Sequence, residues 1–508
     1  MAGVGRLARS VTCAAFGFHS TSHRRLNQPA KTVCGTAYQD IISTDGNSSF
    51  RSPLSLNLQE LSDELKGSGR AAVVWDCLRA GIDPNLYYSS QGGKDDSDDA
   101  IADAWIKATA CAIISGHDVV SSGSHDERNI LGRREGQGLG TEALKRLQKL
   151  MHDYHRYNNY SLRQSGNTNG QHKLHGGENA YTIENSIASL SHMNVSPDGT
   201  TKLLLKMRKD GLEVESVIIP WMDKGFSTLC VSMHKVTFFS SSTYIHPDTF
   251  RSQVGCKQGC TFCATGRMGK LRSLTTDEIL VQVYYAFKVC RVVRSIISTQ
   301  NNILPKVDNI VYMGMGEPAD NAESVVRAAQ ILVDRRLFGL AQSKVTISTV
   351  APNPSAFHTL GKALASLAWS VHAVDDQLRR RLVPTTKNTM EELRCALVNT
   401  LRTRSIKLRR TMLEVALIEG VNDSDEDAKR LAAFSKAIMN DVERSKVVVN
   451  LIPYNAIDHP TYRTPSMETV LGFQKIVVDG GVLCYVRTTR GDDESAACGQ
   501  LATKRTRP

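Results

Sequence analysis

A chain of 508 residues with 41% hydrophobic and 22% charged content has the composition of a folded globular protein and is long enough for two or three domains. No apolar run approaches the ~20 residues that a membrane-spanning helix needs, which argues against an integral membrane protein. The net charge of +11 permits a nucleic-acid partner without demanding one.

Five of the positive charges, Arg6, Arg9, Arg24, Arg25 and Lys31, fall in residues 1–39, which hold no acid. Residues 1–40 therefore read as an organellar targeting segment, for mitochondrion or plastid, and the protein as cytoplasmic if they form only a basic tail. The twelve cysteines are scattered apart from one triad, as free thiols in a reducing compartment are. Leu54 to Leu78 carries apolar residues at helical spacing, with Gly67-Ser68-Gly69 as a turn between two short helices. Residues 101–115 and 141–155 also read as helical, with polar stretches such as Gln164 to Ala180 of linker composition around them. Residues 50–185 thus read as a helical region with disordered insertions.

Order returns near Asn194. Lys202–Met207 and Val214–Ile219 read as a hairpin and Thr228–Ser232 as a further strand. Apolar strands follow at Asn309–Met313, Val345–Thr349, Leu367–His372, Met412–Ile418, Val447–Ile452 and Val482–Val486. Helical patterns separate them at about 275–290, 321–334, 389–403, 424–440 and 466–479. This alternation implies an α/β fold whose parallel sheet is closed or partly closed into a barrel, with its site at the carboxyl ends of the strands.

Cys256, Cys260 and Cys263, at Cys-x3-Cys-x2-Cys spacing, lie just after one such strand. Three thiolates on one loop cannot complete a structural zinc site without a distant fourth ligand. They do suit three irons of a [4Fe–4S] cluster, leaving the fourth iron open. A zinc knuckle that borrows a ligand, or buried cysteines spaced by chance, are the bland alternatives.

The spacing is the signature of radical S-adenosylmethionine (SAM) enzymes. From about Ser196 to Leu501 the chain resembles the RlmN-type members of that group, adenine carbon-2 methyltransferases acting on ribosomal and transfer RNA. The resemblance rests on Ser252-Gln253-Val254-Gly255-Cys256 with the cysteine loop, Met313-Gly314-Met315-Gly316-Glu317-Pro318, Ile347-Ser348-Thr349, Ser370-Val371-His372, Asn450 to Asn455, and Arg490-Gly491-Asp492-Asp493 with Ala497-Cys498-Gly499-Gln500-Leu501. It implies a partial (β/α)6 TIM-like barrel over residues 194–501 with a small N-terminal helical accessory domain. It also implies a [4Fe–4S] cluster on Cys256, Cys260 and Cys263, and two SAM molecules per turnover. SAM would be held by Gly316, Glu317, Ser348, Ser370, Val371, His372 and Asn455, although His372 also fits a satisfied core histidine.

The implied route is a methyl-cysteine intermediate on Cys498, from which a 5′-deoxyadenosyl radical takes hydrogen before the carbon adds to adenine. A second cysteine then resolves the adduct by a disulfide with Cys498, and Glu215 matches an acid proposed as proton acceptor, with an exposed strand residue as the alternative. The family's resolving cysteine stands seven positions before the first cluster cysteine, where this chain has Thr249. Cys230-Val231-Ser232 supplies that half of the motif if residues 233–251 are an insertion. The implied partners are ribosomal RNA, with transfer RNA as a second candidate, and an electron donor such as flavodoxin or ferredoxin. No membrane is expected, and the protein is expected to be a monomer. A carbon-8 methyltransferase of the same family, and a non-catalytic iron–sulfur or RNA-binding protein disabled by the insertion, are the competing expectations. Arg379-Arg380-Arg381, Arg402, Arg404, Lys407, Arg409 and Arg410 are candidate RNA guides, each more often a solvated helix face.

Overall fold

In the computed structural model, ten strands line up in sequence order within one sheet. The structure describes residues 51–89, 106, 138–164, 181–233, 256–263, 272–296, 304–455 and 461–487, all within one unit, Phe50–Pro508. β1 (Ala188–Val195), β2 (Thr201–Met207), β3 (Glu213–Trp221) and β4 (Phe226–Cys230) pair antiparallel. From β4 the pairing turns parallel through β5 (Val307–Tyr312), β6 (Val345–Thr349), β7 (Ser366–Ser370), β8 (Arg410–Leu417), β9 (Lys446–Pro453) and β10 (Leu483–Val486).

β4 to β9 are the six strands of the expected partial barrel, and β10 adds a seventh parallel strand at one edge. Helices Thr276–Ile296, Ala322–Val333, Met390–Thr403, Asp425–Asp441 and Met467–Asp479 occupy the connections, as crossover chemistry requires of parallel neighbours. Successive residues of one strand face opposite sides. Leu229 and Ile310 accordingly join the large core under the helices, while Cys230 and Val311 pack with Val217, Ile219 and Met315 on the inner face.

The helical region at the N-terminal side is built from Leu58–Leu65, Ser68–Arg79, Pro84–Ser89 and Thr141–Gln164. Asn57 caps the first of these in a reciprocal pair with Glu60. The region shares one continuous apolar cluster with the outer face of the barrel, from Leu61, Trp75 and Leu147 to Val281 and Ile310. Specific ties reinforce it: Arg327 donates to Ser55 O at 2.8 Å and to Glu60 at 2.6 Å. Gly81, at φ +68°, lies so close to helix Thr276–Ile296 that a Cβ would stand 2.4 Å from Lys288 N, which only glycine relieves. Among the described residues, no helix is long and apolar enough to cross a membrane.

Ser52 donates to Asp277, whose carboxyl is held up at about 6 by burial, against hydrogen bonds from Ser52 and Ser55. Because its folded pKa lies above the unfolded value, the stability it contributes is complete below about pH 4 and is lost as pH rises through about 6. Asp277→Asn should remove that slope. Melting curves of the two proteins should diverge over this window, by on the order of 3 kcal/mol once the wild-type carboxyl is charged.

Candidate active site

One cavity opens at the carboxyl ends of the parallel strands. It is lined by Cys256, Cys260 and Cys263, by Gly316 and Glu317 after β5, by Ser348, Ser370, Glu414 and Ala416 on β6 to β8, by His372, and by Ile452 to Asn455. Nine of the ten residues expected to hold a cluster or SAM therefore converge there. The tenth, Val371, is fully buried beneath it: its N–H donates to Glu414 O at 2.9 Å, and its carbonyl accepts from Arg379 at 2.6 Å.

The cysteine loop is pinned from three sides. Gln258 donates to Asp320 at 2.8 Å and accepts from Thr385, Thr261 N donates to Leu382 O at 3.1 Å, and Thr261 Oγ1 meets Tyr462 OH at 3.0 Å. Burial pushes the Cys256 thiol up to about 12 and the Cys260 thiol well above its usual value. Metal binding here must therefore displace protons from otherwise neutral thiols. Among the described residues, no three His, Cys, Asp or Glu side chains are close enough to grip a single ion. Three thiols around one cavity suit a larger body, a cluster whose ligated irons occupy separate corners. The buried Arg379 guanidinium lies within electrostatic reach of Cys260 and Glu317, so its charge favours the anionic form of either group.

Glu317 is 2% exposed, and its carboxylate accepts from Ala319 N at 2.9 Å, Val350 N at 2.9 Å and Thr349 Oγ1. Burial still lifts its pKa to about 7 against those three donors. Gly314 makes room for this turn. A Cβ there would stand 2.7 Å from both Ser232 Oγ and Val231 O.

His372 adopts φ +57°, uncommon for a side chain of this size and a mark of strain at functional sites. Its Nδ1 accepts from Ala416 N at 3.1 Å, its carbonyl accepts from Asn422 at 2.7 Å, and its ring packs 4.4 Å from that of Phe262. Burial, then the Arg379 charge, pushes its pKa well below the usual value. The ring is thus neutral, with its proton on Nε2.

Cys230 and Glu215 do not line the cavity, but both face the inner side of the barrel. Cys230 pairs with Val217, two residues along β3 from Glu215. Glu215 is not the exposed strand residue of the alternative expectation: it is 0% exposed, neither oxygen has a hydrogen-bond partner, and Lys202 Nζ is 3.7 Å away. Burial raises its pKa to about 7, against the Lys202 charge. Met233, where the expected insertion begins, is fully buried, and its N–H donates to Met315 O at 2.9 Å. Cys498 and the rest of the insertion lie outside the described residues.

Arg379 corrects the expectation of an RNA guide. It is 1% exposed and donates to Ser370 O, Val371 O and Val350 O, clamping the ends of β6 and β7. Arg402, Arg404, Arg409 and Arg410 likewise donate to carbonyls of the chain itself. Glu414 and Gln258 were not singled out from sequence. A lone acid inside the apolar run Met412–Ile418 was the available signal for Glu414.

The model of the Radical SAM superfamily matches residues 250–432. The dual-specificity RNA methyltransferase RlmN of Ruthia magnifica subsp. Calyptogena magnifica is 37% identical over 308 residues, covering 60% of this chain and 75% of the relative. That of Xanthomonas campestris pv. campestris (strain B100) is 40% identical over 309 residues, covering 60% of this chain and 70% of the relative. A crystal structure of a radical SAM methyltransferase from Sphaerobacter thermophilus superposes with a TM-score of 0.51 at 30% identity, covering 70% of this chain and 92% of the other.

Proposed function

From membership in the RlmN family of radical SAM RNA methyltransferases, to which this chain belongs, we propose that it places a methyl group on carbon 2 of an adenosine in RNA. The observation that carries the reading is the cavity in which three cysteines stand beside Glu317, Ser348, Ser370, His372 and Asn455. Ribosomal RNA is the proposed substrate and transfer RNA a second one. The proposed setting is an organelle, on the composition of residues 1–40.

When bound, the cluster supplies one electron to SAM, and SAM supplies both the transferred carbon and the hydrogen-abstracting radical. Cys256, Cys260 and Cys263 would hold three irons of the cluster, and the tethers through Gln258 and Thr261 fix their loop. Glu317 joins the turn after β5 to the end of β6, so that Gly316 and its own carboxylate border the amino-acid end of SAM. Neutral His372 offers an Nε2 proton as a donor beside Phe262. Cys498 accepts the methyl group as a thiolate, and Cys230 resolves the adduct from the inner face. Glu215, buried on the same face, takes the proton that leaves carbon 2.

The test is nucleoside analysis of a ribosomal RNA fragment incubated anaerobically with the protein, SAM and a reductant. The expected product is 2-methyladenosine. 8-Methyladenosine would move the assignment to carbon 8, and no methylated adenosine under conditions that cleave SAM would sink the proposal.

A further inference from the structure

Gln258 stands midway between Cys256 and Cys260 in the chain and is 2% exposed. A polar side chain is costly to bury unless its groups are paired, and this one is paired at both ends. Its Nε2 donates to Asp320 Oδ2 at 2.8 Å, and its Oε1 accepts from Thr385 Oγ1. Asp320 lies in the turn that follows Glu317, and Thr385 follows the helix Asp376–Leu382. One side chain therefore ties the cysteine loop to both the β5–β6 and the β7–β8 connections. At the same time the backbone N–H of Gln258 donates to the Cys256 sulfur.

Glu317 and Asp320 present negative charge to Cys256 and disfavour its thiolate, whereas the Gln258 N–H favours it. A cluster on these cysteines gains one negative charge when it is reduced. Hydrogen bonds to its sulfurs and the charges around it set the potential at which that happens. A donor fixed on Cys256 eases reduction, and the neighbouring carboxylates oppose it. The donor keeps its place only while the loop keeps its shape, which the two side-chain tethers enforce. We propose that Gln258 is a positioning residue that sets the reduction potential of the cluster, its side chain locking the loop so that its backbone N–H stays on the Cys256 sulfur. The proposal rests on the reading that Cys256, Cys260 and Cys263 hold that cluster. Its consequence for the reaction is the ease with which an electron reaches SAM.

The experiment is a redox titration of the anaerobically isolated full-length protein with its cluster, without SAM or RNA. The electron paramagnetic resonance signal of the reduced cluster gives the midpoint. Gln258→Met keeps the length of the side chain and removes both tethers. At the wild-type midpoint its ratio of reduced to oxidised cluster should fall about tenfold, a shift of ~59 mV to more negative potential for one electron. Asp320→Asn keeps an acceptor for Gln258 and removes the opposing charge, so its midpoint should move to more positive potential. A Gln258→Met midpoint that is unchanged or more positive would overturn the proposal, as would an Asp320→Asn midpoint that moves with it to more negative potential. If Gln258→Met holds no cluster, Thr385→Val decides, since it removes one tether from outside the loop. A more negative midpoint there supports the proposal. A wild-type midpoint, or again no cluster, gives the side chain the task of holding the loop alone and overturns it. If the wild type itself binds no cluster, the ligand reading falls, and this proposal with it. A wild-type cluster whose midpoint ignores Gln258 removes this proposal alone.

Discussion

Alanine in place of Cys256, Cys260 or Cys263 is expected to abolish RNA methylation and to strip iron and sulfide from the anaerobically isolated protein. The loop offers three thiols and no spare: among the described residues, no other His, Cys, Asp or Glu completes a metal-holding group. With one thiol gone, a cluster would be held by two protein ligands on a loop otherwise fixed by Gln258 and Thr261. The visible charge-transfer absorption of the cluster should vanish with the iron. Cys395 provides the control, because it is exposed and absent from the cavity, and Cys395→Ala should keep both iron and activity. Full iron content in a Cys260→Ala protein would refute the ligand assignment directly.

The second large effect concerns Glu215. A carboxyl held at about 7 by burial is poised to take a proton near neutral pH. The methylation rate should rise as pH increases through about 7, since the charged form is the acceptor. Glu215→Gln should cost roughly 10²–10⁴ in rate and erase that limb of the profile. Lys202 sets where the limb falls: its charge 3.7 Å away lowers the pKa of Glu215, so Lys202→Met should move the limb to higher pH. On the proposed route, methyl transfer from SAM to Cys498 precedes the step that needs the acceptor. Mass spectrometry should therefore find methyl-Cys498 in Glu215→Gln, a result that separates a chemical defect from a folding defect. A wild-type rate and profile in Glu215→Gln would remove the residue from the mechanism.

Much of this arrangement was legible in the sequence, for physical reasons. Parallel strands buried on both faces read as apolar runs, so β5 to β9 stood out within a residue or two of their ends. The cysteine spacing carried its own chemistry. β1 escaped notice because ASLSHMNV shows neither alternation nor a run, and its place is set by pairing with β2 across a register shift at Leu190/His192. Helices Ser355–Leu360 and Asp376–Leu382 are too short for periodicity to announce. Arg379 looked like one of three solvated arginines, and only the packed ends of β6 and β7 make it a clamp.

The shared core of the N-terminal helices and the barrel bears on the order in which the chain is made. Leu61, Val74 and Trp75 belong to one apolar cluster with Val281, Val283 and Tyr285, which leave the ribosome about 200 residues later. At synthesis rates of roughly 5–20 residues per second, those helices wait on the order of 10–40 s with their apolar faces uncovered. Gly81 cannot settle against the backbone of Lys288 in that interval. The nascent N-terminal region is therefore a natural client for a holding chaperone, and its folding finishes only when the first crossover helix of the barrel arrives.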